Sequence, residues 1–240
     1  MRLDKYVVDK KIIDSRTKAQ DLISNGFVVV NNKIVTNSAY KLNDNDIVEV
    51  NQHDKYVSRG AYKLIAAIDK FHIDLKNKVV LDIGSSTGGF TQVCLINGAK
   101  KIYAIDVGTN QMDKKLSANK RIELYEQTNF KDVTPSIFKE RIELIVADLS
   151  FISITKILDK ISELFDYSFE MVLLIKPQYE LGKDIINAYK GVIKSQRLWD
   201  KAIDIVSQHA KSLKFKIKSI ILSPIKGSKG NTEFLMYLTK

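Results

Sequence analysis

Apolar positions along the 240-residue chain change their rhythm near residue 57. Before that point they come in short groups. Leu3, Val7 and Val8 predict a short helix, and Ala19, Leu22 and Ile23 predict a second, with Ser15 or Asp14 placed to cap it. Phe27-Val-Val-Val30 and Ile34-Val35 flank Asn31-Asn32. Two asparagines tolerate the positive φ angles of a tight turn, so this segment predicts a β-hairpin. Asn43-Asp-Asn-Asp46 marks another turn before Ile47-Val-Glu-Val50. Two helices and short strands in about 50 residues make a core that is marginal alone. The polar stretch Asn51-Gln-His-Asp-Lys-Tyr56 reads as an interdomain linker.

From Ser58 onward, Ala61, Leu64, Ile65, Ile68 and Phe71 recur at helical spacing. Strand and helix patterns then alternate. Apolar runs predict strands at Val79–Ile83, Ile102–Ile105, Ile142–Ala147, Met171–Ile175, Ile217–Leu222 and Phe234–Leu238, with a weaker one at Ile122–Tyr125. Helices fall between them, notably Gly89–Asn97, Ile154–Phe165 and Ser195–Leu213. Such alternation with buried strands implies a doubly wound, mostly parallel α/β sheet. The loop Ser223–Asn231 is too short for a crossover helix, so the last strand should run antiparallel.

Apolar residues at 45% and charged residues at 28% are globular values that argue against a disordered chain. No apolar run reaches the roughly 18–20 residues that span a bilayer. Met1-Arg-Leu-Asp-Lys-Tyr6 meets charge before any signal-like core forms, so a cytoplasmic protein without membrane insertion is expected. A lone Cys94 cannot staple the chain, and His53, His72 and His209 are too scattered to suggest a metal centre. The net charge of +10 favours a polyanionic partner such as nucleic acid. Nine of those ten excess charges lie in residues 58–240. Between Ile205 and Thr232 there is no acid against six lysines, at 211, 214, 216, 218, 226 and 229. They serve either as protection of an edge strand or as an RNA-facing surface.

Val79-Val-Leu-Asp-Ile-Gly-Ser-Ser-Thr-Gly-Gly-Phe90 sets a glycine-rich turn between a strand and a helix. Gly84 lets the chain turn, and Gly88 and Gly89 remove side chains where a ligand would lie against backbone. A P-loop would need Gly-Lys-Ser/Thr, but Phe90 follows Gly89. A dinucleotide fingerprint would need glycine where Ser86 stands. Asp82, two residues before Gly84, fits an S-adenosylmethionine site better, facing a cationic amino-acid end. Asp106 ends the next strand, suitably placed to accept ribose hydroxyls. Asn129 or Asp148 could close the adenine and methyl ends.

Four ionisable residues stand where strand ends or helix starts would expose them: Lys63, Asp148, Lys176 and Glu233. Charges at the ends of apolar strands are costly unless paired, and two lysines with two carboxylates make a balanced site. An amino-group methylase would carry Asp/Asn-Pro-Pro-Tyr/Phe where Asp148-Leu-Ser-Phe151 stands. Pyrimidine C5 methylation needs a cysteine nucleophile, and Cys94 sits among Val93, Leu95 and Ile96 as a packing residue. A ribose oxygen remains as acceptor.

The first 50 residues resemble the S4-type RNA-binding domain, through Arg2-Leu-Asp-Lys-Tyr6, Ser15-Arg-Thr-Lys-Ala19, the Val28–Val35 hairpin and Asp46-Ile-Val-Glu-Val50. The rest resembles the FtsJ/RrmJ-type ribose 2′-O-methyltransferases, whose tetrad is Lys-Asp-Lys-Glu. The whole chain is similar to the TlyA family of 16S/23S rRNA (cytidine-2′-O)-methyltransferases, also labelled haemolysin A. The motifs are Val57-Ser-Arg-Gly-Ala-Tyr-Lys-Leu64, Asp82–Thr91, Ala104-Ile-Asp-Val-Gly108, Ala147-Asp-Leu-Ser-Phe-Ile-Ser153, Leu174-Ile-Lys-Pro-Gln-Tyr-Glu180 and Gly230-Asn-Thr-Glu-Phe234. Tyr56 stands where that family often has Trp.

The resemblance implies an S4-type α+β domain at 1–52, a linker at 53–57 and a methyltransferase domain at 58–240. That domain would carry a seven-stranded Rossmann-like class I methyltransferase sheet with an antiparallel last strand. It implies S-adenosylmethionine as cofactor, held by Asp82, Gly84, Ser85, Ser86, Thr87, Gly88, Gly89, Phe90, Asp106, Asn129 and Asp148, with no metal. RNA would be met by Arg2, Arg16, Lys18, Lys33, Lys41 and Arg59, and the partner would be ribosomal RNA within ribosomal subunits. The chain resembles the family's shorter form, which favours large-subunit RNA. Lys176 would accept the hydroxyl proton or hold the developing alkoxide, with Asp148 and Glu233 orienting. Acting as a base requires about three units of depression from a lysine pKa near ~10.4, roughly 4 kcal/mol. The alternatives are a membrane-damaging haemolysin and a ribosome-binding factor without catalysis.

Overall fold

The computed structural model describes residues 1–13, 15–24, 26–50, 56–227 and 229–240. It divides into two compact units, Met1–Lys55 and Tyr56–Lys240. Of the linker expected over 53–57, residues 53–55 lie outside the described residues. Tyr56 and Val57 belong to the second unit: the Tyr56 ring meets Tyr62 edge-on at 5.6 Å, and the Val57 N–H donates to Gln92 Oε1 at 2.7 Å.

In the first unit, α1 (Leu3–Asp9) and α2 (Arg16–Ser24) pack on a sheet of β1 (Val28–Val30), β2 (Lys33–Ile34) and β3 (Val48–Val50), in the antiparallel order β2-β1-β3. Asn31 and Asn32 take φ of 50° and 62°, which matches the twist of the flanking strands and pairs Val30 with Lys33. Ser15 caps α2 by accepting from the Lys18 N–H at 3.3 Å; Asp14, the other expected cap, lies outside the described residues. Leu3, Val7, Leu22, Ile23 and Val28 form the core.

The second unit runs α3 (Gly60–Phe71), β4 (Val79–Ile83), α4 (Gly89–Ile96), β5 (Lys101–Ile105), α5 (Lys114–Ser117), β6 (Ile122–Tyr125), β7 (Leu144–Ala147), α6 (Ile154–Leu164), β8 (Glu170–Ile175), α7 (Pro177–Glu180), α8 (Lys183–Ala188), α9 (Gln196–Ser212), β9 (Lys216–Leu222) and β10 (Phe234–Thr239). The strands form one seven-stranded sheet, β6-β5-β4-β7-β8-β10-β9. Strands β4 to β8 run parallel to one another, and β10 is antiparallel to both β8 and β9. Burial on both faces explains the unbroken apolar runs: all five residues of β4 are buried. Leu81 and Ile83 face a core shared with α6 and α9, whereas Val80 faces the core under α3 and α4. Cys94 is part of that second core and fully buried, as its apolar neighbours predict. Strand β9 is one edge of the sheet, with Lys216 and Lys218 exposed on it and a register shift opposite Tyr237 and Leu238. Both features blunt an open edge against further pairing.

This topology sets the geometry of the site. The carboxyl ends of β4, β7 and β8 lie side by side, and because β10 is antiparallel its first residues arrive at that same end. Phe234 pairs with Ile175, so Glu233 enters beside Lys176.

Candidate active site at the strand ends

A cavity of about 560 Å³ opens over these strand ends. Its wall includes Lys63, Asp148, Lys176 and Glu233, which four separate elements bring together. Lys63 on α3 donates to Asp148 Oδ2 at 2.9 Å and pairs with Glu233 Oε2 at 2.8 Å. Lys176 pairs with Asp148 Oδ1 at 2.7 Å and donates to Ser150 Oγ at 3.0 Å. Asp148 therefore bridges two ammonium groups, one on each oxygen.

At Lys63 and Asp148 burial is the largest single influence and would by itself favour the neutral forms. At Asp148 the positive charges of Lys63 and Lys176 overcome burial and hold the carboxyl below the usual carboxylate range. Burial likewise works against the Lys63 ammonium, yet Asp148 and Glu233 outweigh it and raise Lys63 above its ordinary value. Two cations balanced by two anions is the arrangement that makes four buried charges tolerable.

The glycine turn forms the adjoining wall, with Gly84, Ser85, Ser86, Thr87, Gly89 and Phe90 lining the cavity. Gly84 turns the chain at φ 81°. Gly88 and Gly89 also have packing roles within the protein. Gly88 sits at φ 95° off the cavity wall, where a Cβ would lie 2.5 Å from a Leu116 methyl. A Cβ on Gly89 would collide with Ser58 Oγ and lie 3.1 Å from the Ala61 nitrogen, so that glycine permits α4 to pack on α3. Ser85 Oγ is buried on the wall without a hydrogen-bond partner, as is Gln178 Oε1 across the cavity. Unpartnered polar atoms at a cavity wall fit a polar ligand that would satisfy them.

Three further candidates are not at the wall. Asp82 is on the strand face that turns under α3 and α4; it is fully buried, and Thr91 Oγ1 donates to its Oδ2 at 2.5 Å. Burial pushes its pKa up to about 7, against the opposing hydrogen bond from Thr91. Asp106 uses both carboxylate oxygens on the turn itself, accepting from the Ser86 N–H at 2.8 Å and the Gly108 N–H at 2.7 Å. Asn129 is exposed and caps the short turn Phe130–Asp132 by accepting from the Lys131 N–H at 3.1 Å.

Of the expected RNA-contacting residues, Arg59 lines the cavity. In the first unit Arg2 and Arg16 converge on Asp4, and the Arg2 backbone bridges to Lys41. Lys33 is exposed on β2, and Lys18 is half-buried. Sequence reasoning passed over several residues of the site. Ser150 fixes Lys176, and Glu180 caps α6 by accepting from Ser153 Oγ and the Ile154 N–H. Buried Asn231 accepts from the Ile193 N–H at 2.9 Å and donates to the Gly191 carbonyl at 2.8 Å. Phe151 is 87% exposed at φ 65° on the rim, its ring 5.4 Å from Tyr179. Ser150 and Glu180 stand inside motifs already singled out; Asn231 gives no separate signal, because its partners lie about 40 residues away in the chain.

Residues 56–240 match the FtsJ-like methyltransferase family, and residues 1–48 match the S4 domain. A 23S rRNA (cytidine-2′-O)-methyltransferase named TlyA, from Campylobacter jejuni, is 38% identical over 100% of both chains. The chain belongs to the TlyA family of FtsJ-like methyltransferases. Another relative of this methyltransferase, Hemolysin A of Brachyspira hyodysenteriae, is 45% identical over 99% of each chain. A solved structure from Streptococcus thermophilus, provisionally called a hemolysin, is 34% identical with a TM-score of 0.79, covering 100% of this chain and 88% of that one.

Proposed function

We propose that this methyltransferase transfers the methyl group of S-adenosylmethionine to the 2′-hydroxyl of a cytidine in ribosomal RNA, specifically 23S rRNA. The observation that carries the reading is Asp148 held between Lys63 and Lys176 beside the glycine turn. When bound, S-adenosylmethionine supplies a methyl group already activated on a sulfonium. This chain must therefore bind the acceptor nucleoside, aim its hydroxyl and bear the charge that develops on oxygen.

An ammonium has three N–H directions. Lys176 spends one on Asp148 and one on Ser150, which leaves the third to hold the 2′-oxygen as negative charge develops. Of the two roles open to Lys176, this geometry favours holding the alkoxide over accepting the proton, which passes instead to solvent water as the O–CH3 bond forms and the sulfonium C–S bond breaks. Lys63 and Glu233 keep Asp148 in place, and Asp148 aims Lys176. Ser85 and Gln178 would find their missing partners in bound cofactor and substrate. Asp106 holds Ser86 and Gly108 and retains a lone pair on each oxygen for ribose hydroxyls, while buried Asp82 supports the turn from below through Thr91. Arg59 at the cavity and the S4 unit would meet the RNA, on which the enzyme acts in the cytoplasm.

The competing haemolysin reading rests on a relative's name alone, and among the described residues no helix is long and apolar enough to cross a membrane. The experiment is methyl transfer from radiolabelled S-adenosylmethionine to 16S and 23S rRNA and to 30S and 50S subunits, followed by nuclease mapping. Ribose-linked label at a 23S cytidine is the expected result. Base-linked label, or no label with cofactor binding intact, would overturn the proposal.

A further inference from the structure

Asp4 is a buried carboxylate that the methyl-transfer chemistry does not use. It lies in the first turn of α1 and is 0% exposed. Arg2 clasps it from one side, Nε to Oδ1 and Nη2 to Oδ2, both at 2.9 Å. Arg16 Nε reaches Oδ2 at 3.2 Å from the start of α2, and Gln20 Nε2 reaches the same oxygen at 2.9 Å. Hydrogen bonding by Arg2, aided by Gln20 and Arg16, outweighs burial and holds Asp4 well below the usual carboxylate range. The two arginines remain outward-facing, with side chains 45% and 59% exposed. Arg16 commits only Nε to Asp4, so both of its terminal amino groups stay available; Arg2 keeps Nη1.

We propose that Asp4 is a positioning residue for RNA binding, fanning Arg2 and Arg16 out as one fork that meets successive phosphates. The proposal rests on the reading of the S4 unit as an RNA-binding one. Two guanidinium groups this close repel each other, and each is a long side chain that loses rotamer freedom when a phosphate orders it. A carboxylate beneath them removes the repulsion and fixes both before RNA arrives, so less ordering cost falls on the binding step. The cluster keeps a net charge of +1, and the anion sits fully inside it, shielded from the RNA side. The Arg2–Lys41 backbone bridge and the hydrogen bond from the N-terminal amine to the Leu42 carbonyl, at 3.1 Å, hold the base of the fork.

The sign of one substitution separates this from simple electrostatics. Asp4→Asn adds a positive charge to the face, so charge alone predicts tighter RNA binding and a steeper salt dependence. Positioning predicts the opposite. The test measures the Kd of the full chain for transcribed 23S rRNA at several salt concentrations, for wild type, Asp4→Asn, the pair Arg2→Ala/Arg16→Ala, and the triple variant. The arginine pair should weaken binding by more than about tenfold, and Asp4→Asn by about tenfold with a shallower salt slope. In the triple variant Asp4→Asn should add less than about twofold, since its effect runs through the arginines.

Weakening by the arginine pair with unchanged or tighter binding by Asp4→Asn would overturn the proposal alone. An equal loss from Asp4→Asn with and without the arginines would also overturn it, because Asp4 would then act through the fold of the unit. If the arginine pair binds like wild type, the RNA-binding reading of this face fails, and the proposal with it.

Discussion

Replacing Asp148 by Asn keeps the shape of the side chain and removes one charge from a buried, balanced set. Asp148 meets Lys63 at 2.9 Å and Lys176 at 2.7 Å, and without its charge the remaining carboxylate, Glu233, would balance Lys63 while Lys176 loses its ion-pair partner. Asp148 is 19% exposed and the lysine side chains less than 10%, so solvent screens the loss little. Removing one partner of a buried ion pair costs about 3–5 kcal/mol. For a unit of this size that lowers the melting temperature by roughly 10 °C.

The pH dependence carries a sharper signature. In the wild type, Asp148 is held below its ordinary value and Lys63 above. The stability from Asp148 is thus lost only as pH falls through its folded value, and that from Lys63 only as pH rises above about 10.4, so neither contributes a slope between about pH 5 and 9. In the variant, burial of an uncompensated ammonium drops its pKa below the unfolded value of about 10.4. The unfolded chain then binds more protons than the folded one, and stability climbs with pH by up to about 1.4 kcal/mol per unit. Thermal melts from pH 6.5 to 9.5 should show the variant gaining on the wild type as pH rises (~3 units of range, within the linkage window). Methyl transfer should fall by about a hundredfold or more. A variant that melts within about 2 °C of wild type with the same pH profile would refute the charge-balance account of the site.

Lys176→Ala should abolish methyl transfer while leaving S-adenosylmethionine affinity, read by calorimetry, within about threefold; equal loss of both would move Lys176 from the reaction to cofactor binding. Gly227→Ala sets a methyl against Glu233 Oε1 and 3.1 Å from its Cδ at an ordinary backbone φ. It should lower kcat by about tenfold with less than about 1 kcal/mol of destabilisation by urea melts, and a large stability loss with kcat intact would reverse that assignment. Asp82, raised to about 7 by burial, contributes stability that is lost as pH rises from about 4 to about 7. Asp82→Asn should flatten that decline in urea melts at pH 5 and 7.5, and an undiminished difference between the two would show that Asp82 is ionised throughout.

Much of this molecule is local in origin and so was legible along the chain. Strands buried on both faces need apolar residues at every position, and that is why Val79–Ile83 and Met171–Ile175 announced themselves. Asn31-Asn32 adopts the two positive φ angles that its residue types tolerate. The eleven residues between Leu222 and Phe234 cannot hold a crossover, so the reversal of β10 followed from loop length, and with it the arrival of Glu233 at the end of the sheet that holds Lys176. The helices α5, α7 and α8, of four to six residues, escaped because so short a segment carries no periodicity.

Which way a polar side chain points was decided only by tertiary packing. Asp82 precedes the glycine turn by two residues, yet the pleat sends it beneath α3 and α4 to Thr91. Asp106 accepts from backbone N–H groups that the folded turn presents, and Asn129 Oδ1 caps the short turn after it. Gly89 is required by Ser58, just ahead of α3 and some thirty residues earlier in the chain, and Arg2 and Arg16 converge on Asp4. Sequence pattern specifies where backbone must be straight, turned or buried, because those demands act on neighbours along the chain. The partner of a buried charge is a matter of distance in space, and only the closed fold supplies that.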